Sequence, residues 1–215
     1  MNLRLALPAG LLGLLAAASA QAEAPQWVGS APTADFATGA TRRSDFTLGA
    51  SGSFAFGRAQ GYPNEIDKIN QRAYASNTKL GLGTSLAVWV GVAFNDYLTF
   101  GLGAGGLGLT GNDREANGGA FLFHIDAYPL FDVDKSLRDL ALFGHFGTGP
   151  LEISGGDEAA DGGLMAYVEG GMAYEGLRLW RFGIGPSVSV LHMWSESASV
   201  TAATVGGRLA FYSGP

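Results

Sequence analysis

The chain has 215 residues, no cysteine, 34 glycines and a formal net charge of -6 at pH 7. Without cysteine it has neither disulfides nor thiolate metal sites, and its acidic balance leaves no basic stripe to neutralise nucleic-acid phosphates. Only 15% of the residues are charged, against about 25% in a typical soluble domain, although the apolar content is an ordinary 47%. The chain therefore lacks charged surface residues rather than gaining apolar ones, and a lipid-facing exterior would have this composition.

Residues 1–22 have the features of a secretory signal peptide. Arg4 supplies a positive charge, an apolar run follows from Leu5 to Ala18, and Ala20-Gln21-Ala22 fits a small-x-small cleavage motif. An uncleaved anchor is the alternative, but the run is short for a membrane helix, which needs about 20 apolar residues. We expect cleavage after Ala22 and then a periplasmic linker over residues 23–43, rich in Ala, Thr, Pro and Gly.

From residue 44 onward apolar residues alternate with small or polar ones, and this period of two indicates β-strands. The clearest case runs from Lys79 to Leu109 and reads as two long strands joined by a tight turn at Asn95-Asp96. Its even positions are apolar from Leu80 to Phe94 and again from Leu98 to Ala104, while its odd positions are mostly small. One face is therefore predicted to contact lipid and the other a crowded lumen.

The odd positions of this hairpin predict how the lumen is filled. Trp89 lies on the odd parity, so its ring is expected to point inward. Three glycines on the same strand would give this ring room: Gly81, Gly83 and Gly91. Near the end of the second strand the apolar parity shifts at Leu107 and Leu109, which predicts a bulge there.

Eight strands are predicted in all, over about residues 45–57, 80–94, 98–109, 120–131, 140–148, 164–174, 177–191 and 198–212. Pro186 lies inside the seventh and predicts a local distortion. Turns at residues 95–96, 132–139 and 175–176 share one end, and longer loops at residues 58–77, 111–119, 154–163 and 192–197 share the other. Short turns at one end and longer loops at the other are typical of outer-membrane barrels, in which the turns are periplasmic.

A secreted soluble β-sandwich that serves as a binding module is the alternative fold, since its strands also alternate. The predicted strands, however, run to about twice the usual length of about 5–6 residues. In-strand charges fall almost wholly on one parity. Aromatic residues on the apolar parity cluster near the turn ends, like an interfacial girdle: Phe46, Phe94, Phe100, Phe131, Tyr174, Trp180 and Phe211.

Together with the signal peptide and the aromatic-ended last strand from Gly206 to Tyr212, this pattern resembles the small eight-stranded outer-membrane barrels of the OmpA-transmembrane, OmpX and OmpW type. The resemblance covers residues 44–212 and implies an all-β, antiparallel up-and-down eight-stranded transmembrane β-barrel. Residues 213–215 form a tail beyond it. The last strand resembles the C-terminal signal by which the barrel-assembly machinery recognises its clients, although the tail departs from that pattern.

The resemblance also implies a location and a function. We expect export through the periplasm to the outer membrane of a Gram-negative bacterium, and a monomer in contact with outer-membrane lipid and lipopolysaccharide. Nucleic acid is not an expected partner. The expected role is non-enzymatic and porin-like in the broad sense: structural, surface-interacting, or a narrow channel for small solutes, with no cofactor.

Charged and histidine side chains on the inward parity form a candidate lumen charge network: His124, Asp126, His145, Glu169, Arg181 and Arg208. An eight-stranded barrel has an interior just filled by side chains, and a buried charge must be paired. A salt-bridged plug is therefore favoured over a gated polar path or a small-solute site. His124 and His145 lie on separate strands, which is a weak metal signal, and we predict no metal site.

An outer-membrane enzyme that modifies lipid A is the alternative function, because some barrels of this size use a serine with a histidine and an acid. His192, Ser195 and Glu196 cluster in the fourth loop. Their spacing does not place His192 and Ser195 on one face of a strand. We therefore predict no catalytic residue.

Overall fold

A computed structural model describes residues 42–155 and 159–214. The predicted signal peptide and residues 23–41 of the predicted linker lie outside the described residues. The strands are β1 (Asp45–Gly61), β2 (Ser76–Asn77), β3 (Gly81–Asn95), β4 (Leu98–Gly111), β5 (Arg114–Ala127), β6 (Leu140–Ser154), β7 (Ala160–Tyr174), β8 (Leu177–Leu179), β9 (Phe182–Trp194) and β10 (Ala198–Tyr212). In this part of the chain no helix is long and apolar enough to cross a membrane.

The eight long strands close into a single antiparallel barrel. Their order is β1, β3, β4, β5, β6, β7, β9 and β10, and β10 returns to pair with β1 from Thr47↔Tyr212 to Gly61↔Ala198. Closure leaves no unpaired edge along the sheet. The predicted up-and-down eight-stranded barrel is confirmed, and the β-sandwich, which requires two packed sheets, is wrong.

The barrel has two ends that differ in their connections. The end that carries Ser44 and Ser213, here called the terminal end, has connections at residues 96–97, 128–139 and 175–181. The opposite, distal end has connections at residues 62–80, 112–113, 155–159 and 195–197. The prediction of a long loop at residues 111–119 is wrong, because β4 and β5 extend to a two-residue turn at Asn112-Asp113. Both turn residues have positive φ, 53° and 56°, which suits a tight hairpin turn.

The turn predicted at Glu175-Gly176 is also misplaced. These residues interrupt the pairing opposite Gly185-Pro186, where β9 passes from β7 as its partner to β8. This agrees with the distortion predicted at Pro186, which cannot donate a ladder hydrogen bond. The hairpin turn lies at Trp180-Arg181, and Trp180 adopts a φ of 57°, which turn-residue preferences do not anticipate for a bulky side chain.

No bulge occurs at Leu107 and Leu109. The register of β4 with both neighbours is continuous from Leu102 to Thr110, and the odd residues face inward throughout. Leu107 and Leu109 are therefore lumen residues, 5% and 1% exposed. The apolar parity shifts in the sequence because the lumen itself becomes apolar toward the distal end.

Trp89 faces the lumen as predicted and is 3% exposed. The glycines that make room for it are not those on its own strand. Gly49 of β1 and Gly103 of β4 are its directly opposite partners, and a Cβ on Gly49 would lie 2.1 Å from Trp89 Cζ2. The space beside an inward side chain belongs to its cross-strand neighbours, because residues two positions along a strand are farther away.

Candidate functional site

The lumen is filled in two layers of different chemistry. The distal half holds the apolar lumen cluster, defined by these buried residues: Ala55, Ala59, Ala87, Leu107, Leu109, Ala116, Ala120, Leu122, Leu151, Ile153, Ala160, Met165, Tyr167, Leu191, Met193, Ala198, Val200 and Ala202. Toward the terminal end the inward side chains are polar or charged. Side chains on alternating strand positions thus pack the interior from wall to wall.

The central network is a hydrogen-bonded line of four side chains on three neighbouring strands. His124 Nε2 lies 2.9 Å from Asp126 Oδ2, His124 Nδ1 lies 2.8 Å from His145 Nε2, and His145 Nδ1 lies 2.7 Å from Glu169 Oε2. All four residues are buried. Every ring nitrogen of the two histidines therefore has a partner.

Arg208 joins the Asp126 end of this line. Its guanidinium donates two hydrogen bonds to Asp126, one of 2.7 Å from Nη1, and forms an ion pair with Glu175 at 3.3 Å. It also lies over the Trp89 ring at 4.7 Å, and that ring stacks on His124 with the two centroids 4.3 Å apart. A cation over an aromatic face is a favourable contact that does not require further hydrogen bonds.

A second group, the terminal cluster, closes the barrel at the terminal end. The Arg43 side chain is fully buried; it donates to Asp139 Oδ1 at 2.7 Å and lies over the Tyr128 ring at 3.5 Å. The hydroxyls of Tyr128 and Tyr212 donate to Glu175 at 2.9 and 3.1 Å. Because Arg208 also pairs with Glu175, the terminal cluster and the central network form one connected system.

Asp139 is the centre of charge in the terminal cluster. Burial opposes ionisation of its carboxyl, but Arg178, Arg42 and Arg43 outweigh it and hold the pKa of Asp139 below its usual range. Burial lowers the pKa of Arg42 to about 10, against the attraction of Asp139 and with help from the neighbouring arginines. Both groups remain ionised at neutral pH, so the cluster holds its ion pairs there.

The structure brings five of the six predicted network residues together: His124, Asp126, His145, Glu169 and Arg208. The sixth, Arg181, lies in the turn between β8 and β9, where its guanidinium lies 5.2 Å from the Trp180 ring centroid. The prediction that Arg181 faces the lumen is wrong, because it depends on a turn at Glu175-Gly176 that would place residue 181 within a strand.

Sequence reasoning missed the terminal cluster. The sequence pattern places Arg43 in the linker, and Asp139 and Glu175 in turns. The available signal was the Arg42-Arg43 pair directly before the first strand, together with acids at both turns of the same end. Opposite charges that the topology gathers at one end of a barrel are expected to pair.

No cluster of three or more potential metal ligands is found among residues 42–155 and 159–214. His192 lies on the outward parity of β9, stacks on Trp194 and lies 2.8 Å from Thr201 Oγ1. Ser195 lies in the connection between β9 and β10, and its Oγ accepts a hydrogen bond from the backbone N–H of Ala198. The two side chains thus have separate partners.

A polar cavity of about 380 Å³ opens at the distal end. It lies where the long connection after β1 meets the short one before β10, and Tyr62 N donates to Ser197 O between them. Amide, hydroxyl and carboxylate side chains line it: Gln60, Tyr62, Asn70, Ser76, Asn77, Ser195, Glu196, Ser197 and Ser199. Glu196 is the charged residue of this lining.

The chain matches no protein-family model and no curated protein. Among solved structures it is similar to Ail, the attachment invasion locus protein of Yersinia pestis, with a TM-score of 0.50 and 11% identity over 78% of this chain and 99% of that one. Neisserial surface protein A gives 0.43 and 11% over 76% and 96%. The N-terminal β-barrel domain of Pseudomonas aeruginosa OprF gives 0.43 and 12% over 79% and 99%.

The chain has the fold of the small eight-stranded outer-membrane barrels. At 11% identity the likeness to Ail is one of fold alone. What the protein does must therefore be argued from its own surfaces and its own lumen.

Proposed function

We propose that this protein is an integral β-barrel of the bacterial outer membrane, with a closed lumen and a role at its distal surface. The observation that carries this is the outer face. Each of the eight long strands presents large apolar side chains outward, at least 37% exposed, for example Leu48, Val90, Leu102, Phe123, Phe146, Val168, Val190 and Leu209. Soluble proteins rarely expose apolar patches larger than a few hundred Å², whereas a lipid-spanning barrel requires such a band.

The residues that border the apolar band support the same proposal of a membrane-spanning barrel. Outward-facing charges on the described long strands lie toward the distal end, at Arg58, Glu115, Glu152 and Asp161. At the terminal end the outward face carries exposed aromatics, including Phe94 and Trp180. Aromatic side chains favour the boundary between lipid tails and headgroups. We assign the terminal end to the periplasm, because both chain ends of the barrel lie there.

A closed lumen argues against a channel. The apolar lumen cluster blocks the distal half with tightly packed side chains, and the central network and terminal cluster block the other half with paired charges. Passage of an ion would require breaking buried ion pairs and wetting an apolar layer, and both steps are costly. The proposed role is therefore structural or surface-interacting.

The distal cavity is the proposed contact site. Its amides and hydroxyls can donate to and accept from ligand hydroxyls, and its volume lies at the small end of ligand pockets, about 300–1,000 Å³. Glu196 disfavours anions. We propose a small polar ligand without negative charge, such as a sugar ring or an amino sugar. Lipid, lipopolysaccharide and the barrel-assembly machinery are the other proposed partners.

The membrane and closure proposals are tested on barrel refolded in detergent. The folded protein is expected to migrate differently on gels before and after boiling, and to give no steady conductance in planar bilayers. A Leu122→Ser/Leu191→Ser variant, which wets the apolar lumen cluster, is the control expected to raise conductance. Full solubility without detergent would refute the membrane proposal, and steady wild-type conductance would refute the closed lumen.

The ligand proposal is tested by ligand-observed NMR with D-glucose, D-glucosamine and glucose 6-phosphate. We expect the two uncharged or cationic sugars to bind and the phosphate not to. Glu196→Gln should weaken D-glucosamine selectively, while Glu152→Gln, on the outer face, should change nothing. Absence of binding by all three sugars, or equal binding of the phosphate, would overturn the proposal.

A further inference from the structure

The central network contains three contacts in a row that each need one proton. They are Asp126 with His124, His124 with His145, and His145 with Glu169, at 2.9, 2.8 and 2.7 Å. A hydrogen bond forms only where one of the two atoms carries a hydrogen and the other offers a lone pair. The line is thus satisfied by three protons.

Two neutral imidazole rings supply only two of the three protons that these contacts need. Each neutral histidine carries one N–H, and ionised carboxylates carry none. If both histidines donated to their carboxylates, His124 Nδ1 and His145 Nε2 would face each other with two lone pairs at 2.8 Å. Such a buried, repulsive contact costs at least as much as a lost hydrogen bond.

We propose that the lumen holds a third proton, shared along this line and resident at its His145–Glu169 end. The two ends differ in counter-charge. Asp126 is already paired with Arg208, whose guanidinium donates two hydrogen bonds to it. Glu169 accepts from neutral hydroxyls of Tyr167 and Ser189, and its cationic partner among the described residues is His145 alone.

The surroundings of the pair favour the same end. His124 is stacked under Trp89, and the Arg208 cation lies on that ring, so a second positive charge on His124 would be repelled. The Trp89 ring is farther from His145, with the two centroids 6.1 Å apart. His145 also faces Phe143, and Arg208 lies 5.7 Å from that ring, farther than from Trp89. Arg208 therefore repels a positive charge on His145 less than one on His124. An imidazolium at His145 balances the buried Glu169 carboxylate, which would otherwise be an unpaired buried charge.

The third proton makes the barrel more stable on the acid side of neutrality. Unfolded histidines lose their proton near pH 6.5, so above that pH the folded barrel binds one proton more than the unfolded chain. Stability then falls as pH rises, and the unfolding constant increases about tenfold per pH unit until the third proton leaves the folded state. The sealed lumen thus contains a proton-binding site that senses alkaline pH.

Glu169→Gln separates this proposal from a purely structural role. The amide N–H can donate to His145 Nδ1, so His145 donates to His124 and His124 donates to Asp126. Every contact is then satisfied with two imidazole protons, and the hydroxyls of Tyr167 and Ser189 can rotate to suit. The geometry is kept while the third proton is no longer needed. Glu115→Gln, on the outer face, is the matched control.

The experiment is nitrogen NMR of labelled histidines in the folded, detergent-bound barrel from pH 6 to 9, combined with urea unfolding over the same range. The wild type should show one doubly protonated ring, His145, at pH 8, while His192, on the outward face of β9, serves as the internal reference outside the lumen. The tenfold-per-unit pH slope should vanish in Glu169→Gln and persist in Glu115→Gln. Two neutral lumen rings in the wild type at pH 8 would overturn the proposal, as would an unchanged slope in Glu169→Gln. If that variant does not fold, the wild-type spectrum decides.

Discussion

His124 Nδ1 and His145 Nε2 lie 2.8 Å apart in the lumen, and the two residues are directly opposite each other in the β5–β6 register. Their contact depends on that register, because a slip of one residue would turn one of the rings toward lipid. The same holds for Asp126 and Arg208, which meet across the lumen from β5 and β10. The central network therefore forms only when the barrel has closed correctly.

Arg208→Met is expected to destabilise the barrel by about 3–5 kcal/mol, because it leaves the buried Asp126 without its cation. It also removes one cation from Glu175, which keeps its ion pair with Arg178 at 3.3 Å. Arg181→Met, which removes a guanidinium in the turn over Trp180, should change stability by about 0.5–1 kcal/mol. Urea unfolding in detergent, followed by gel mobility, measures both. Equal effects of the two substitutions would contradict the assignment of Arg208 to the network.

Gly49→Ala is expected to reduce stability by about 1–3 kcal/mol through overpacking. The new Cβ would lie 2.1 Å from Trp89 Cζ2, and the ring cannot retreat because it is stacked on His124. Gly52→Ala on the same strand is the control, since a Cβ there meets nothing within 4 Å. Folding yield and unfolding midpoint are compared. A normal Gly49→Ala variant would show that Trp89 is not held as described.

Asp139→Asn should cost about 2 kcal/mol at pH 7, because it removes a charged acceptor from three arginines. The carboxyl has a lower pKa in the folded barrel than in the unfolded chain. Its stabilisation is therefore complete above about pH 4, the usual value for an unfolded aspartate, and is lost as pH falls through the folded value. The difference between variant and wild type should shrink on acidification.

Unfolding curves at pH 7 and pH 3 measure that difference. Asp113→Asn, in the exposed turn between β4 and β5, is the control and should match the wild type at both values. A cost of Asp139→Asn that is the same at pH 3 as at pH 7 would show that the ionised carboxyl does not support the terminal cluster.

The membrane proposal predicts that the cost of an outward-facing arginine depends on its depth in the bilayer. Val90→Arg, in the middle of the outer face of β3, should destabilise the barrel in phospholipid vesicles by about 2–4 kcal/mol. Leu82→Arg, near the distal end of the same strand, should cost about 0–1 kcal/mol. Similar costs at the two positions would place the outer face in water.

Local chemistry explains why the strands were predicted well. The last strand, Ala198–Tyr212, has the predicted bounds, and Trp89, His124 and Glu169 face the lumen as their parity indicates. The side-chain period of two is a property of the strand backbone itself, so it is readable without knowing the partners. The bounds of the connections between strands are harder to predict. Asn117, Gly118 and Gly119, for example, are strand residues whose composition is typical of a loop.

The sequence by itself determined an all-β barrel with one apolar and one polar face, because alternation and strand length are local. Only the tertiary structure decided which groups meet inside. Gly49 rather than Gly81 makes room for Trp89, Arg43 rather than Arg181 closes the terminal end, and His124 meets His145. These contacts depend on register and closure, which bring together residues far apart in the chain and leave no mark on the local pattern.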